Sequence, residues 1–397
     1  MESLTRIAFR VNFVAILLIA VASNAYSDER PKTNESKVVS RVKFKNAKSP
    51  LTQVSGLVVA EGEDGGCLLQ ESSGRLRVIV AKESQSIEAT QEPFVPMSLE
   101  RMAEAMLHEL PKGFHTTTTK HYVICYNTTD AYAKWNGSMY ERLFKAFYTY
   151  WSQRGVPLHE PEFPLVAVVF ETRNGYVRYA EKEEIANAES MIGYYNQLSN
   201  RIAGYDLTGI EGMIPAGKSV NTADLVNHIL AQPSAERSVA TIVHEAVHQL
   251  AYNSGLQRRL GDNPVAISEG LAMFFESPDL RSPSGWGGIG NINRYNLAVF
   301  KNAFPSRETN SLVKLLQDDS LFHDSSTTTA AYGESWALTY FLMKAKTKEF
   351  ALYLKELRDR PPLEPIDPKR RIADFQKHFG SDFEKLDRDF VKFMSRL

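Results

Sequence analysis

Val239-Ala240-Thr241-Ile242-Val243-His244-Glu245-Ala246-Val247-His248-Gln249-Leu250 is followed, across Gly255 to Asn263, by Pro264-Val265-Ala266-Ile267-Ser268-Glu269-Gly270-Leu271-Ala272. In the first run Val239, Ile242, Val243, Ala246, Val247 and Leu250 give the broad apolar surface of a buried helix. Ser234, after Pro233, is its expected N-cap and Gly255 its expected stop. Residues four apart on a helix stand one above the other, so His244 and His248 aim their imidazoles at one point. Glu245, the next residue round, reaches the same side and can serve as a general base. Two histidines and a glutamate in a buried helix are costly without partners, and a bound metal ion removes that cost.

A catalytic zinc takes three protein ligands and keeps a fourth position open for water. Glu269 is the expected third ligand, making one zinc ion with His244 and His248. Pro264 to Ser277 reads as a second short helix, opened by Pro264 and ended before Pro278. Its other residues are mostly Ala, Leu, Met and Phe, so Glu269 is an acid in apolar surroundings. Glu276, seven positions on, shares that face and is expected to support a ligand through hydrogen bonding.

His244-Glu245-Ala246-Val247-His248 with Ser268-Glu269-Gly270-Leu271-Ala272 resembles the gluzincin, peptidase-MA-like, clan of zinc metallopeptidases. Ala331-Tyr332-Gly333-Glu334-Ser335-Trp336-Ala337-Leu338 resembles the tyrosine-bearing helix start found downstream in that branch. More closely, the chain is similar to a group of secreted bacterial proteins whose gluzincin-like domain has no assigned function. The resemblance covers roughly residues 115–397. It implies an α+β fold: a zincin-like domain with a mixed β-sheet and an active-site helix, then a helical C-terminal half. By the same resemblance, one strand of the hairpin 191–205 is the edge along which an extended substrate lies. Gly193, Tyr194, Tyr195 and Asn196 are the residues expected there. Tyr332 stands where a phenol either faces the metal and steadies an oxyanion or simply packs at a helix start.

The remainder of the chain gives the context. Residues 1–25 read as a secretory signal, with Arg6 and Arg10 before the apolar run Phe13 to Ala22 and small residues at Ser23-Asn24-Ala25. A run of ten cannot cross a bilayer, which needs about twenty residues, so export with no membrane span after cleavage is expected. Residues 26–37 form a polar linker. Over 38–92 Val42 and Phe44 alternate with lysines, and Gly56 to Ala60, Cys67 to Leu69 and Leu76 to Val80 are separated by turn residues. This is a small antiparallel β module. Residues 93–114 carry a connector helix with Leu99, Met102, Ala103, Met106, Leu107 and Leu110 on one face. Cys67 and Cys125 are expected as free buried thiols, and His228 as a non-ligand. The stretch 282–293, rich in Gly and Ser, reads as a cleft rim.

A net charge of −1, with 43% hydrophobic and 23% charged residues, is ordinary for a globular protein and favours no nucleic-acid partner. The expected activity is therefore hydrolysis of a peptide or protein substrate by an exported zinc enzyme, periplasmic or extracellular, with Glu245 as the base. Two alternatives stay open at this point. One is a non-catalytic binding or envelope protein on the same scaffold, and the other a hydrolase of another amide such as a cell-wall crosslink.

Overall fold

The computed structural model describes residues 37–46, 49–208, 222–232, 235–277 and 289–397. The leader, most of the linker, Ser234 and the greater part of 282–293 lie outside the described residues. What is described is mixed α+β, with two five-stranded sheets and twelve α-helices.

The first sheet comprises β1 (Val38–Asn46), β2 (Ser49–Glu61), β3 (Cys67–Gln70), β4 (Leu76–Ile79) and β5 (Ser84–Pro93), in the order β4-β3-β2-β1-β5. Every pairing is antiparallel. Alternation sorts its side chains: Val42, Phe44, Cys67, Leu69 and Ile79 pack on one face. Leu68 and Leu76 turn the other way and pack with Leu260 of the larger domain. The Leu76 N–H also donates to the Leu198 carbonyl at 2.7 Å, so the module is docked rather than tethered. β5 is not foreshadowed by the apolar pattern. It pairs along β1 at the sheet margin, and in Ser84-Gln85-Ser86-Ile87-Glu88-Ala89-Thr90 no residue is fully buried and only Ile87 packs on the module's core, so the sequence lacks the alternation that a buried face imposes.

A helix, α1 (Leu99–Glu109), joins the two parts. The Ser98 side chain caps it by accepting the Arg101 N–H, and Met102 and Met106 are buried under the second sheet. That sheet contains β6 (His115–Thr118), β7 (Tyr122–Tyr126), β8 (Leu165–Phe170), β9 (Gly193–Asn196) and β10 (Arg201–Tyr205), ordered β6-β7-β8-β10-β9. β7, β8 and β10 run parallel, while β6 and β9 are antiparallel at its margins. Both faces are covered, which explains the continuous apolar runs Tyr122 to Tyr126 and Leu165 to Phe170. Val123, Cys125, Val166 and Val168 face α1 and α3 (Arg173–Lys182). Tyr122, Ile124, Leu165, Ala167 and Val169 face the main core with α2 (Asp130–Ser152).

The chain then becomes helical, with α4 (Ala223–Leu230), α5 (Glu236–Asn253), α6 (Val265–Phe275), α7 (Arg294–Ala303), α8 (Ser311–Gln317), α9 (Thr328–Ala345), α10 (Thr347–Arg358), α11 (Pro368–Phe379) and α12 (Phe383–Met394). Gln249, fully buried on α5, donates to the carbonyls of Val166 and Asn200 at 3.1 and 3.0 Å and pins the helix to the sheet. Gly255, at φ +72°, follows α5 in the left-handed conformation its expected role requires. The α5–α6 loop is held at Asp262, whose carboxylate accepts from Arg371 Nε and the Ile366 N–H, each at 2.8 Å.

α6 and α9 meet almost backbone to backbone. A Cβ on Gly270 would lie 2.1 Å from Thr339 Oγ1 and 2.5 Å from the Ser335 carbonyl oxygen. A carbonyl in a helix cannot swing aside. Gly270→Ala is therefore expected to cost about 3 kcal/mol or more of stability, read as a lower denaturant midpoint. An unchanged midpoint would show that the helices separate cheaply.

Cys67 and Cys125 are free and buried, on different sheets. No helix among the described residues is long and apolar enough to cross a membrane.

Candidate metal centre

The centre lies where α5 and α6 cross below β9. His244 and His248, one turn apart on α5, are 0% and 7% exposed, and their Nε2 atoms are 3.2 Å apart. Glu269 reaches in from α6 and is also buried. Its Oε2 is 3.1 Å from His244 Nε2 and its Oε1 3.4 Å from His248 Nε2. The two imidazole nitrogens are thus 3.2 Å apart, and each has its own oxygen of the Glu269 carboxylate at 3.1 or 3.4 Å, so the three side chains converge in a triangle. Ligands at about 2.0–2.1 Å from a tetrahedral zinc are separated by roughly 3.3–3.4 Å. The His244, His248 and Glu269 group can therefore hold a metal ion.

The surrounding hydrogen bonds orient the set. His244 Nδ1 donates to Glu276 Oε2 at 2.8 Å, which leaves the Nε2 lone pair facing the triangle. Glu276, at the C-terminal end of α6, is itself held. Its Oε1 accepts from Asn293 Nδ2 at 2.6 Å and from Asn296 Nδ2 at 3.3 Å, both brought by the start of α7. Neither asparagine was visible as a functional residue in the sequence. Polar side chains at i and i+3 of a helix start are common, and only the fold aims these two at Glu276. Glu276→Gln should weaken metal binding about 10–100-fold, measured by competition with a chelator. Unaltered affinity would mean that Glu276 does not orient His244.

Electrostatics favours a cation at the triangle. Burial opposes charge on His244, but its hydrogen bonds to the Glu269 and Glu276 carboxylates prevail and hold its pKa well above the usual histidine range. Burial also works against ionised Glu269, yet His248 and His244 beside it bring its pKa down to about 2. The site thus keeps Glu269 ionised and favours positive charge beside it; a divalent ion bound here would replace the proton on His244, since histidine ligates only as the neutral ring.

Glu245 is 5% exposed and stands beside the triangle. The Tyr195 backbone N–H donates to its Oε2 at 2.8 Å, fixing the carboxylate against β9. Burial pushes the Glu245 pKa up, against the opposing pull of His244 and His248. The hairpin is in turn clamped to α5. The Tyr195 hydroxyl donates to Asn200 Oδ1 at 2.7 Å, and Asn200 and Asn253 exchange side-chain hydrogen bonds. β9 is the marginal strand of its sheet, and all four of its residues, Gly193 to Asn196, are buried. Tyr332, in the first turns of α9, packs edge-on against Phe322. It borders a small cavity together with His244, Glu276 and Asn296. His228 lies on the exposed face of α4 and is not in the ligand group.

Residues 238–364 match the model of a family described as a protein of unknown function, DUF1570. That span is less than half of the chain. It carries all three candidate ligands, Glu245, Glu276 and Tyr332, but neither β9 nor the N-terminal sheet. No curated protein matches the chain.

Proposed function

We propose that the protein is an exported zinc metallopeptidase of the gluzincin type, hydrolysing peptide bonds in peptide or protein substrates with Glu245 as general base. One observation carries the reading: a buried His244, His248 and Glu269 triangle that can hold a metal ion, with an oriented carboxylate beside it. The resemblance of the two motifs to gluzincins supports it, as does a marginal strand whose Tyr195 N–H holds the base.

A zinc ion held by the triangle would supply a Lewis acid and bring the pKa of water there to about 7. The residues do the rest. His244, His248 and Glu269 place the charge. Glu276 holds the His244 tautomer. Glu245, with its affinity for protons raised by burial, accepts the proton of the attacking water and delivers it to the departing amine. Because Tyr195 binds one oxygen of Glu245, the carboxylate keeps its aim through both transfers. A substrate strand pairing with β9 would lie alongside that base, and Tyr332 is assigned to the oxyanion.

The test is cleavage of a broad peptide library by the purified protein, with and without chelator. Cleavage that stops with chelator and returns with zinc is expected. Cleavage indifferent to chelator would refute the assignment. A metal-loaded protein that leaves every peptide intact would favour hydrolysis of another amide or a binding role.

A further inference from the structure

β9 has four residues and a ladder partner on one side alone, and its Tyr195 N–H carries Glu245. So short a marginal strand opens easily when pairing is all that holds it. A carboxylate outside the metal centre supplies a second hold. Glu183, which ends α3, has a side chain only 6% exposed. Its Oε2 accepts from the Tyr194 hydroxyl at 3.3 Å, from Asn196 Nδ2 at 3.2 Å and from the Ser199 hydroxyl at 3.0 Å. Asn196 passes the hold on, since its Oδ1 accepts the Leu198 N–H at 2.8 Å. Both sequence neighbours of Tyr195 and the turn behind them are thus tied to one acid.

That acid is tied in turn to the N-terminal sheet. Arg75, in the turn between β3 and β4, places its guanidinium 3.8 Å from Glu183 Oε1 and 3.6 Å from Glu109 Oε1. Glu109 ends α1 and grips Arg201 of β10 through two bonds of 2.6 and 2.7 Å. One cation of the module therefore bridges two carboxylates, and each carboxylate holds one strand of the hairpin. Hydrogen bonds to an ionised acceptor are about twice as strong as neutral ones, so the hold is firm. β10 already completes the ladder of β9, so the acid at 183 adds placement rather than pairing.

We propose that Glu183 is a positioning residue of the metal centre, and that Arg75 makes the N-terminal module a working part of that centre. Glu183 acts through β9, keeping the Tyr195 N–H where Glu245 needs it, and not on the reacting atoms. The proposal rests on the hydrolase reading. It goes beyond that reading in giving the N-terminal sheet a function.

The test uses the full-length, zinc-loaded protein with Glu183→Gln, Arg75→Gln and Arg75→Lys. Two quantities are measured: steady-state cleavage of a library peptide, and backbone hydrogen exchange across 193–200 and across α5. Glu183→Gln keeps the size of the side chain but sets an amide NH2 among the three donors. It should lower kcat by about 10–100-fold with zinc content unchanged, because a base displaced by 1 Å loses about that much. Exchange at 193–200 should quicken by about tenfold while α5 keeps its protection. Arg75→Gln should act in the same direction, and Arg75→Lys, which keeps the charge, should lose less.

Wild-type kcat in Glu183→Gln, unaltered exchange at 193–200, or exchange raised equally in α5 overturns the positioning role and leaves the hydrolase standing. No cleavage by the wild type, with exchange raised at 193–200 alone in Glu183→Gln, keeps the hold on β9 and defeats the hydrolase. No cleavage and unaltered exchange overturns both.

Discussion

Replacing Glu245 by glutamine is expected to abolish the proposed hydrolysis while the metal stays bound. The amide is the same size as the carboxylate, and its oxygen can still accept the Tyr195 N–H that now donates to Glu245 Oε2 at 2.8 Å. No ligand is removed, since His244, His248 and Glu269 alone form the triangle. What disappears is the only proton acceptor placed there by the α5 motif. General acid–base catalysis is worth about 10²–10⁴-fold. A loss of at least that size is expected, with unchanged metal content and unchanged thermal unfolding. Glu245→Gln with most of its turnover intact would remove Glu245 from the mechanism.

The second large effect is on the metal itself. His248→Ala deletes one corner of the triangle and leaves two ligands, too few for a tetrahedral site with one open position. The variant should purify without metal. Stability follows, because an ion bound only by the folded chain adds about 4 kcal/mol when its concentration is a thousand times Kd. Chelator should therefore lower the Tm of the wild type by several degrees and leave that of His248→Ala unmoved. A wild type whose Tm ignores chelator, and which holds no stoichiometric metal, would sink the metal centre and the proposed chemistry with it.

Some of this arrangement could be read along the chain. Helical spacing alone stacks His244 over His248, because a turn of helix separates them whatever surrounds it. The apolar neighbours of Glu269 marked a buried acid, and burial of an acid calls for a partner. The hairpin under Gly193 to Asn196 was signalled by its apolar runs and by Ser199-Asn200 between them. Other parts left no trace. The hold on Glu245 comes from a backbone N–H, a group every residue but proline carries. Asn293 and Asn296 through Glu276, Asn200 through Asn253 and Gln249 through Val166 act on partners 17 to 83 positions away, and no local pattern names them. β5 escaped because a strand with little burial has no face to pattern.

By itself the sequence determined the local order: a helix with two stacked imidazoles, a second apolar helix bearing an acid, and alternating strands ahead of them. These follow from periodicity and burial, which nearest neighbours dictate. Only the tertiary structure decided that Glu269 completes a triangle, that Glu276 turns His244, that β9 steadies Glu245 and that a cavity opens beside the site. Those are distances between segments remote in the chain. They are set by how closely α6 packs on α9 at Gly270 and how Gln249 seats α5 on the sheet, and packing of that kind has no one-dimensional signature.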